Sequence, residues 1–208
     1  MKMNVVVVGA TGKSGSRIVA ELLQRGHTVT AVARDLARLP DGVTGKQNDL
    51  SDVNSIAEIL AGETAVVSAY GPPYDDTDQV IWVTERLIAA VKKAGKARLI
   101  VVGGAASLEV APGVTLLDSG HLPAEWLAIA TSHDKLLKVV RRSDINWTYF
   151  SPAAYFEPGE RTGKFRLGTN ELISDAKGES RISMEDYAIA VVDELEKPQH
   201  ERERFTIG

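Results

Sequence analysis

Three glycines at three-residue spacing, Gly9, Gly12 and Gly15, stand between a β-branched run, Val5-Val6-Val7-Val8, and a stretch carrying Ile18, Val19, Leu22 and Leu23 at helical spacing. A chain that passes from a buried strand through a tight turn directly into a helix has few folds open to it. Gly9 permits the turn, Gly12 lets the backbone approach a ligand, and Gly15 lets the helix pack closely, while the helix N-terminus offers unbonded N–H groups to an anion. The segment therefore reads as a pyrophosphate cradle for a dinucleotide, with Gly9, Gly12 and Gly15 as its binding residues. Gly12-Lys13-Ser14 also matches the end of a P-loop. That motif needs a glycine five positions before Gly12, where Val7 stands, so an ATPase reading is rejected.

Downstream, strand and helix patterns alternate. Strands are expected at 3–8, 28–33, 43–47, 64–68, 98–102, 146–150 and 204–207. Helices are expected at 14–24, after a Ser51 cap, and at 79–93, 124–142 and 183–196. Nearly continuous apolar strands imply burial on both faces, hence an α/β fold: a Rossmann-like, doubly wound parallel sheet with right-handed crossovers. One domain spanning 1–208 is expected, with a substrate-side C-terminal segment from about 151 to 208. Within it, 157–170 reads as a long loop or hairpin. In 208 residues, a net charge of −4 argues against a nucleic-acid surface and favours a small-molecule substrate. There are no cysteines, which excludes disulfides and thiolate metal sites and fits a reducing compartment. No basic leader precedes the first strand and no apolar stretch reaches the roughly 18 residues of a membrane span, so a soluble, cytoplasmic protein is expected.

The end of the second strand selects the cofactor, because an acid there accepts ribose hydroxyls and an arginine accommodates a 2′-phosphate. It reads Ala33-Arg34-Asp35, with Arg38 one turn on, which favours NADP(H) over NAD(H); Asp35 could instead serve NAD(H). Asp49 and Leu50 fall where the adenine would lie, although a helix-entry aspartate beside a core leucine fits the same residues. Ala69, Tyr70 and Gly71 leave the fourth strand at the carboxyl edge and are expected to line the ribose and nicotinamide side.

No tyrosine is followed four residues later by lysine, so the usual short-chain dehydrogenase proton donor is missing. Ser107, after the fifth strand, and His133, near the expected tyrosine region, are the candidate catalytic residues, each with a plainer structural reading beside it. His121 and His200 lack partners at ligand spacing, and no metal site is expected. Hydride delivery with little acid catalysis suits this inventory, as in flavin reduction, where the protein mainly orients two rings. Tyr70, Trp82, Trp126, Tyr155 and Phe156 are the aromatics that could form a platform.

Beyond the glycine turn, several segments resemble one family: Val102-Gly103-Gly104-Ala105-Ala106-Ser107, Trp147-Thr148-Tyr149-Phe150-Ser151-Pro152-Ala153-Ala154, Phe156-Glu157-Pro158-Gly159-Glu160-Arg161-Thr162-Gly163, Gly178-Glu179-Ser180-Arg181-Ile182-Ser183 and Asp186-Tyr187-Ala188-Ile189-Ala190. Together they look like the NADH-flavin reductase family of atypical short-chain dehydrogenase/reductases, related more distantly to biliverdin-IXβ reductase/flavin reductase, and the likeness covers essentially the whole chain. It implies a Rossmann domain with NAD(P)H at the glycine turn and a flavin or quinone-like acceptor over the nicotinamide, the flavin being substrate and not a bound prosthetic group. It also implies that Thr11, Lys13, Ser14, Arg34 and Arg38 line the phosphate and adenosine side, and that Ser151, Pro152 and Ala153 approach the nicotinamide. A non-catalytic redox sensor is the alternative. Helix 79–93 is a candidate homodimer surface. Glu157, Glu160 and Arg161 are expected to form an ion-pair network that shapes their loop.

Overall fold

Residues 2–208 are described in a computed structural model. Strand β1 (Asn4–Val8) alternates its valines between two cores: Val5 and Val7 face one side of the sheet, Val6 and Val8 the other. That two-sided burial makes β1 a central strand. On one flank it pairs in parallel with β2 (Thr28–Ala33), which carries β3 (Thr44–Gln47) at the edge; on the other it pairs with β4 (Ala65–Ser68) and, beyond it, β5 (Arg98–Val102). The sheet continues through β8 (Trp147–Ser151) and β12 (Glu203–Ile207), both parallel. A two-residue strand, β10 (Leu167–Gly168), closes that edge antiparallel to β12. The strand order β10-β12-β8-β5-β4-β1-β2-β3 is doubly wound, with its reversal between β1 and β4. Unlike its neighbours, β3 is exposed along its whole length, so the expected burial on both faces fails at this edge.

Helices cover both faces. α1 (Lys13–Gln24) and α5 (Met184–Glu196) bury Ile18, Leu22, Tyr187 and Val191 on one side. α2 (Val53–Leu60), α3 (Gln79–Ala94) and α4 (Leu127–Arg142) pack Ile56, Leu87 and Leu136 on the other. Their ends follow local chemistry. Asp52, not Ser51, caps α2, accepting from the N–H groups of Asn54 and Ser55 at 3.3 and 2.9 Å, because a carboxylate one residue later reaches both. Gly95, left-handed at φ 95°, ends α3, and Ser183 caps α5.

Two small pairings build the surface above the carboxyl edge. β6 (Glu109–Ala111) and β7 (Val114–Thr115) form a short hairpin, and β9 (Tyr155–Glu157) pairs in parallel with β11 (Arg181–Ser183). Among the described residues no helix is long and apolar enough to cross a membrane.

Candidate functional site

The glycine turn occupies the carboxyl end of β1 beside the point where the strand order reverses. Gly9 adopts φ 76°, and a Cβ there would meet the Ala69 carbonyl oxygen at 2.4 Å; a Cβ on Gly15 would meet the Gly9 carbonyl oxygen at 2.1 Å. Both positions therefore exclude every side chain, and the turn is locked by the Gly12 N–H donating to the Gly9 carbonyl at 2.9 Å. α1 begins without a side-chain cap and without an acidic residue in its first turn. Its opening N–H groups and dipole are thus left to an external anion, as a pyrophosphate requires.

Lys13, Arg34 and Arg38 are exposed and form no salt bridge among the described residues. In a chain of net charge −4, three unpaired cations around one turn and the adjoining strand end make a local positive rim. Asp35 is already occupied: its carboxylate accepts from the Ala37 N–H at 3.0 Å and caps the short 3₁₀ turn Leu36–Arg38. Asp49 is likewise engaged, accepting from the Ser51 N–H at 2.9 Å and from its hydroxyl, which hold the carboxyl below its usual range. Leu50 is left-handed, φ 63°, and its side chain is buried in the core, so it is not presented to a ring from solvent. The Asn48 side chain, accepting from the Leu50 N–H at 2.7 Å, holds that conformation.

Ala69 is buried behind Gly9, Tyr70 is half-buried and Gly71 exposed; the Tyr70 hydroxyl donates to Gln79 Oε1 at 2.9 Å, and burial raises its pKa. Between this β4 exit and α4 lies a cleft of about 500 Å³ lined by Asp75 to Asp78 and by Leu127, Thr131, Ser132 and Lys135. A polar knot forms its base: the Ser132 hydroxyl donates to Asp78 Oδ1 at 2.6 Å and meets Thr77 Oγ1 at 2.8 Å, and Lys135 lies 3.1 Å from Asp78. Ser132 and Lys135 together hold the Asp78 carboxyl below its usual range.

The two catalytic candidates are each bonded within the protein. Ser107 accepts from Arg204 Nη1 at 3.3 Å through its hydroxyl and at 3.4 Å through its carbonyl. Asn170 Oδ1 takes the rest of that buried guanidinium at 3.1 and 2.6 Å, so Ser107 helps anchor Arg204 of β12. His133 lies behind the β5 exit, where the Tyr149 hydroxyl accepts from the Gly104 N–H at 3.1 Å and donates to the His133 carbonyl at 3.0 Å. His133 Nδ1 is 3.4 Å from the same hydroxyl, and burial lowers its pKa to about 4. Burial thus favours the uncharged imidazole, one nitrogen protonated and the other free to accept, over the imidazolium. Gly103 makes this arrangement possible, because a Cβ there would lie 2.3 Å from the Tyr149 ring.

Ser151 and Pro152 are buried at the end of β8, and the Ser151 hydroxyl has no hydrogen-bond partner among the described residues. Of the proposed aromatic platform, Trp82 lies on α3 with Arg86 4.6 Å from its ring centre, and Phe156 packs on Tyr187 at 4.7 Å. Trp126 and Tyr155 meet edge-to-face at 5.7 Å. The expected Glu157–Glu160–Arg161 network is not formed. Arg161 reaches Glu21 on α1 with two bonds of 2.9 Å, and Glu157 pairs with Arg181 at 2.7 Å, because the loop folds onto α1 and β11 and not onto itself. His200 does have an acidic partner, Glu194 at 2.8 Å, but among the described residues no three histidine or acidic groups converge as metal ligands.

Residues 9–198 match the family described as NAD(P)H-binding. The chain belongs to the NAD(P)H-binding family. The family is one of oxidoreductases, and its solved neighbours are consistent with atypical short-chain dehydrogenase/reductases. This NAD(P)H-binding chain is 40% identical over 210 residues to the uncharacterized protein YwnB of Bacillus subtilis (strain 168), covering 99% of this chain and 98% of YwnB. It is similar to the crystal structure of a Streptococcus pneumoniae TIGR4 protein provisionally named an NADH-flavin reductase, at 35% identity and a TM-score of 0.91 over 99% and 98% of the two chains. A Bacteroides thetaiotaomicron protein provisionally named an epimerase superposes with a TM-score of 0.93 at 42% identity, over 100% and 97% of the chains.

Within this NAD(P)H-binding fold, three features escape sequence reasoning: the Asp78–Ser132–Lys135 knot, the Arg204–Ser107 anchor and the approach of Arg181 to Tyr155. Each joins residues far apart in the chain. Only the third leaves a trace in the sequence, an arginine opening a short strand pattern, Arg181-Ile182-Ser183.

Proposed function

We propose that this protein oxidises NADPH and passes the hydride to a flavin or quinone-like acceptor. The observation that carries the reading is the uncapped start of α1 behind a side-chain-free turn, ringed by Lys13, Arg34 and Arg38. Gly9, Thr11, Gly12, Ser14 and Gly15 would hold the pyrophosphate, whose charge the first N–H groups of α1 and Lys13 offset. Arg34 and Arg38 would take the 2′-phosphate. Asp35 spends one carboxylate oxygen as a cap while Arg34 and Arg38 stay unpaired, which supports NADP(H) over NAD(H). Asp49 and Leu50 would border the adenine through backbone and carboxylate. Ala69, Tyr70 and Gly71, with the Ser151-Pro152 corner, would bound the nicotinamide half. When bound, the reduced nicotinamide supplies a hydride to the acceptor.

The chain's own part is then to position rings and exclude water. With the uncharged form of His133 favoured and Ser107 bonded to Arg204, neither is arranged as a charged proton donor to a carbonyl. An acceptor that takes hydride directly and its proton from water suits this site. The segment from about 151 to 208 forms the acceptor side, and the cytoplasm, where NADPH is kept reduced, is the setting this reading implies.

NADPH and NADH oxidation with FMN, riboflavin, a quinone and biliverdin tests the reading. Flavin-dependent turnover with an NADPH preference that Arg34→Ala reduces about tenfold, the value of one charge-assisted phosphate contact, is expected. Unchanged NADPH selectivity in Arg34→Ala would remove the cofactor assignment. Tight cofactor binding with no turnover on any acceptor would replace the enzyme with a redox sensor.

A further inference from the structure

We propose that Trp126, Tyr155 and Arg181 form the acceptor's binding corner, selecting a flat conjugated ring system that carries a phosphate or carboxylate tail. The inference rests on the reductase reading and adds the acceptor's chemical class. Trp126 enters α4 and Tyr155 opens β9, so both sit at the carboxyl edge of the sheet, near the ends of β5 and β8. Their rings stand at 76° with centres 5.7 Å apart. The edge-to-face pair is a favourable, fixed arrangement, with Arg181 over the Tyr155 ring, and a flat ligand can add to the part of the rings that stays exposed. Tyr155 is 42% exposed and Leu127, beside Trp126, is 43% exposed, so apolar surface is left open where a soluble chain normally covers it.

Arg181 supplies the charge. The β9–β11 register sets it opposite Tyr155, and its guanidinium lies 4.8 Å from the Tyr155 ring centre. Its only carboxylate partner among the described residues is Glu157 at 2.7 Å, and the two side chains are 54% and 61% exposed. Such a pair contributes little and exchanges readily for a stronger anion, and a phosphate offers a guanidinium two parallel bonds. Below Arg181 opens a hollow of about 390 Å³ whose lining sets Arg181 and Lys164 against Glu157, Glu160 and Asp186, so the exposed guanidinium itself, and not the hollow, is what receives an anionic tail.

Flavin fluorescence gives a readout that does not depend on turnover. FMN and riboflavin, which differ only in the phosphate, are titrated into the NADP⁺-saturated protein and into Arg181→Gln, Tyr155→Ala, Tyr155→Phe and Trp126→Ala. FMN is expected to bind about tenfold more tightly than riboflavin, and Arg181→Gln to erase that margin while leaving riboflavin unchanged. Tyr155→Ala and Trp126→Ala should weaken both flavins several-fold, and Tyr155→Phe, which keeps the ring, should restore them. Equal affinities for the two flavins in the unsubstituted protein, or an Arg181→Gln variant that weakens both alike, would overturn the proposal. NADPH oxidation by flavin that persists with unaltered affinity in every variant would overturn it while leaving the reductase reading intact. Arg181-dependent FMN binding without oxidation would do the reverse.

Discussion

His133 and Ser107 show how burial and partners decide what a side chain does. In the unfolded chain an imidazole titrates near its ordinary value of about 6.5; in the folded chain burial lowers it to about 4. Between those values the unfolded state binds a proton that the native state does not, so this residue's effect on stability is unfavourable as pH falls below about 6.5 and levels off below about 4. His133→Gln is therefore expected to lose less stability than the unsubstituted protein between pH 6.5 and 4.5, read by urea denaturation at each pH, and to keep NADPH oxidation within about threefold at pH 7. A parallel pH dependence in both proteins would contradict the buried neutral imidazole. Ser107→Ala should lower stability by about 1 kcal/mol, because it removes one hydrogen bond from the buried Arg204.

At the scale of elements, α1 is held from both ends. Its N-terminus depends on the glycine turn. Gly12 is exposed, and a Cβ there would meet the Gly9 carbonyl at 3.1 Å, so Gly12→Val should abolish NADPH binding while leaving the protein folded. Gly15→Ala, at 2.1 Å from the same oxygen, should lower stability itself by about 1–3 kcal/mol; calorimetric binding and denaturation curves separate the two. The body of α1 is latched to the 157–164 segment. Buried Glu21 is held ionised chiefly by Arg161, against the cost of burial, with Arg25 assisting. The Thr162 and Gly163 N–H groups donate to Asp186 at 2.7 and 2.8 Å. Arg161→Ala should leave global stability within about 1 kcal/mol, since Arg161 is half exposed, yet speed proteolytic cleavage within the segment. Unchanged cleavage would mean that the latch is not what holds it. The sequence predicts ion pairing at Arg161 but within the wrong set, because Glu21 lies 140 residues away and only the folded β9–β11 unit brings the loop across α1.

Over the whole molecule, the features legible in the sequence are those written in local spacing. The valine run, the glycine turn and the amphipathic helices each fix an element within a few residues, and right-handed crossovers then leave little freedom in the order of the parallel strands. The two-residue β10 and the three-residue β9 and β11 are too short for periodicity to register. The proposed site divides along the same line. Its proposed dinucleotide half is a contiguous turn plus Arg34 and Arg38; its proposed acceptor half would be assembled from Trp126, Tyr155 and Arg181, residues separated by up to 55 positions. The central claim joins the halves: the nicotinamide hydride of a dinucleotide anchored at the glycine turn would pass to a flat acceptor at the carboxyl edge. Anaerobic mixing of the purified protein with equimolar NADPH and FMN, following nicotinamide and flavin absorbance together, tests it most directly. The two chromophores should bleach in step, one for one, at a rate that depends on the protein and collapses in Gly12→Val. NADPH that binds and stays reduced while the flavin stays oxidised would contradict the account.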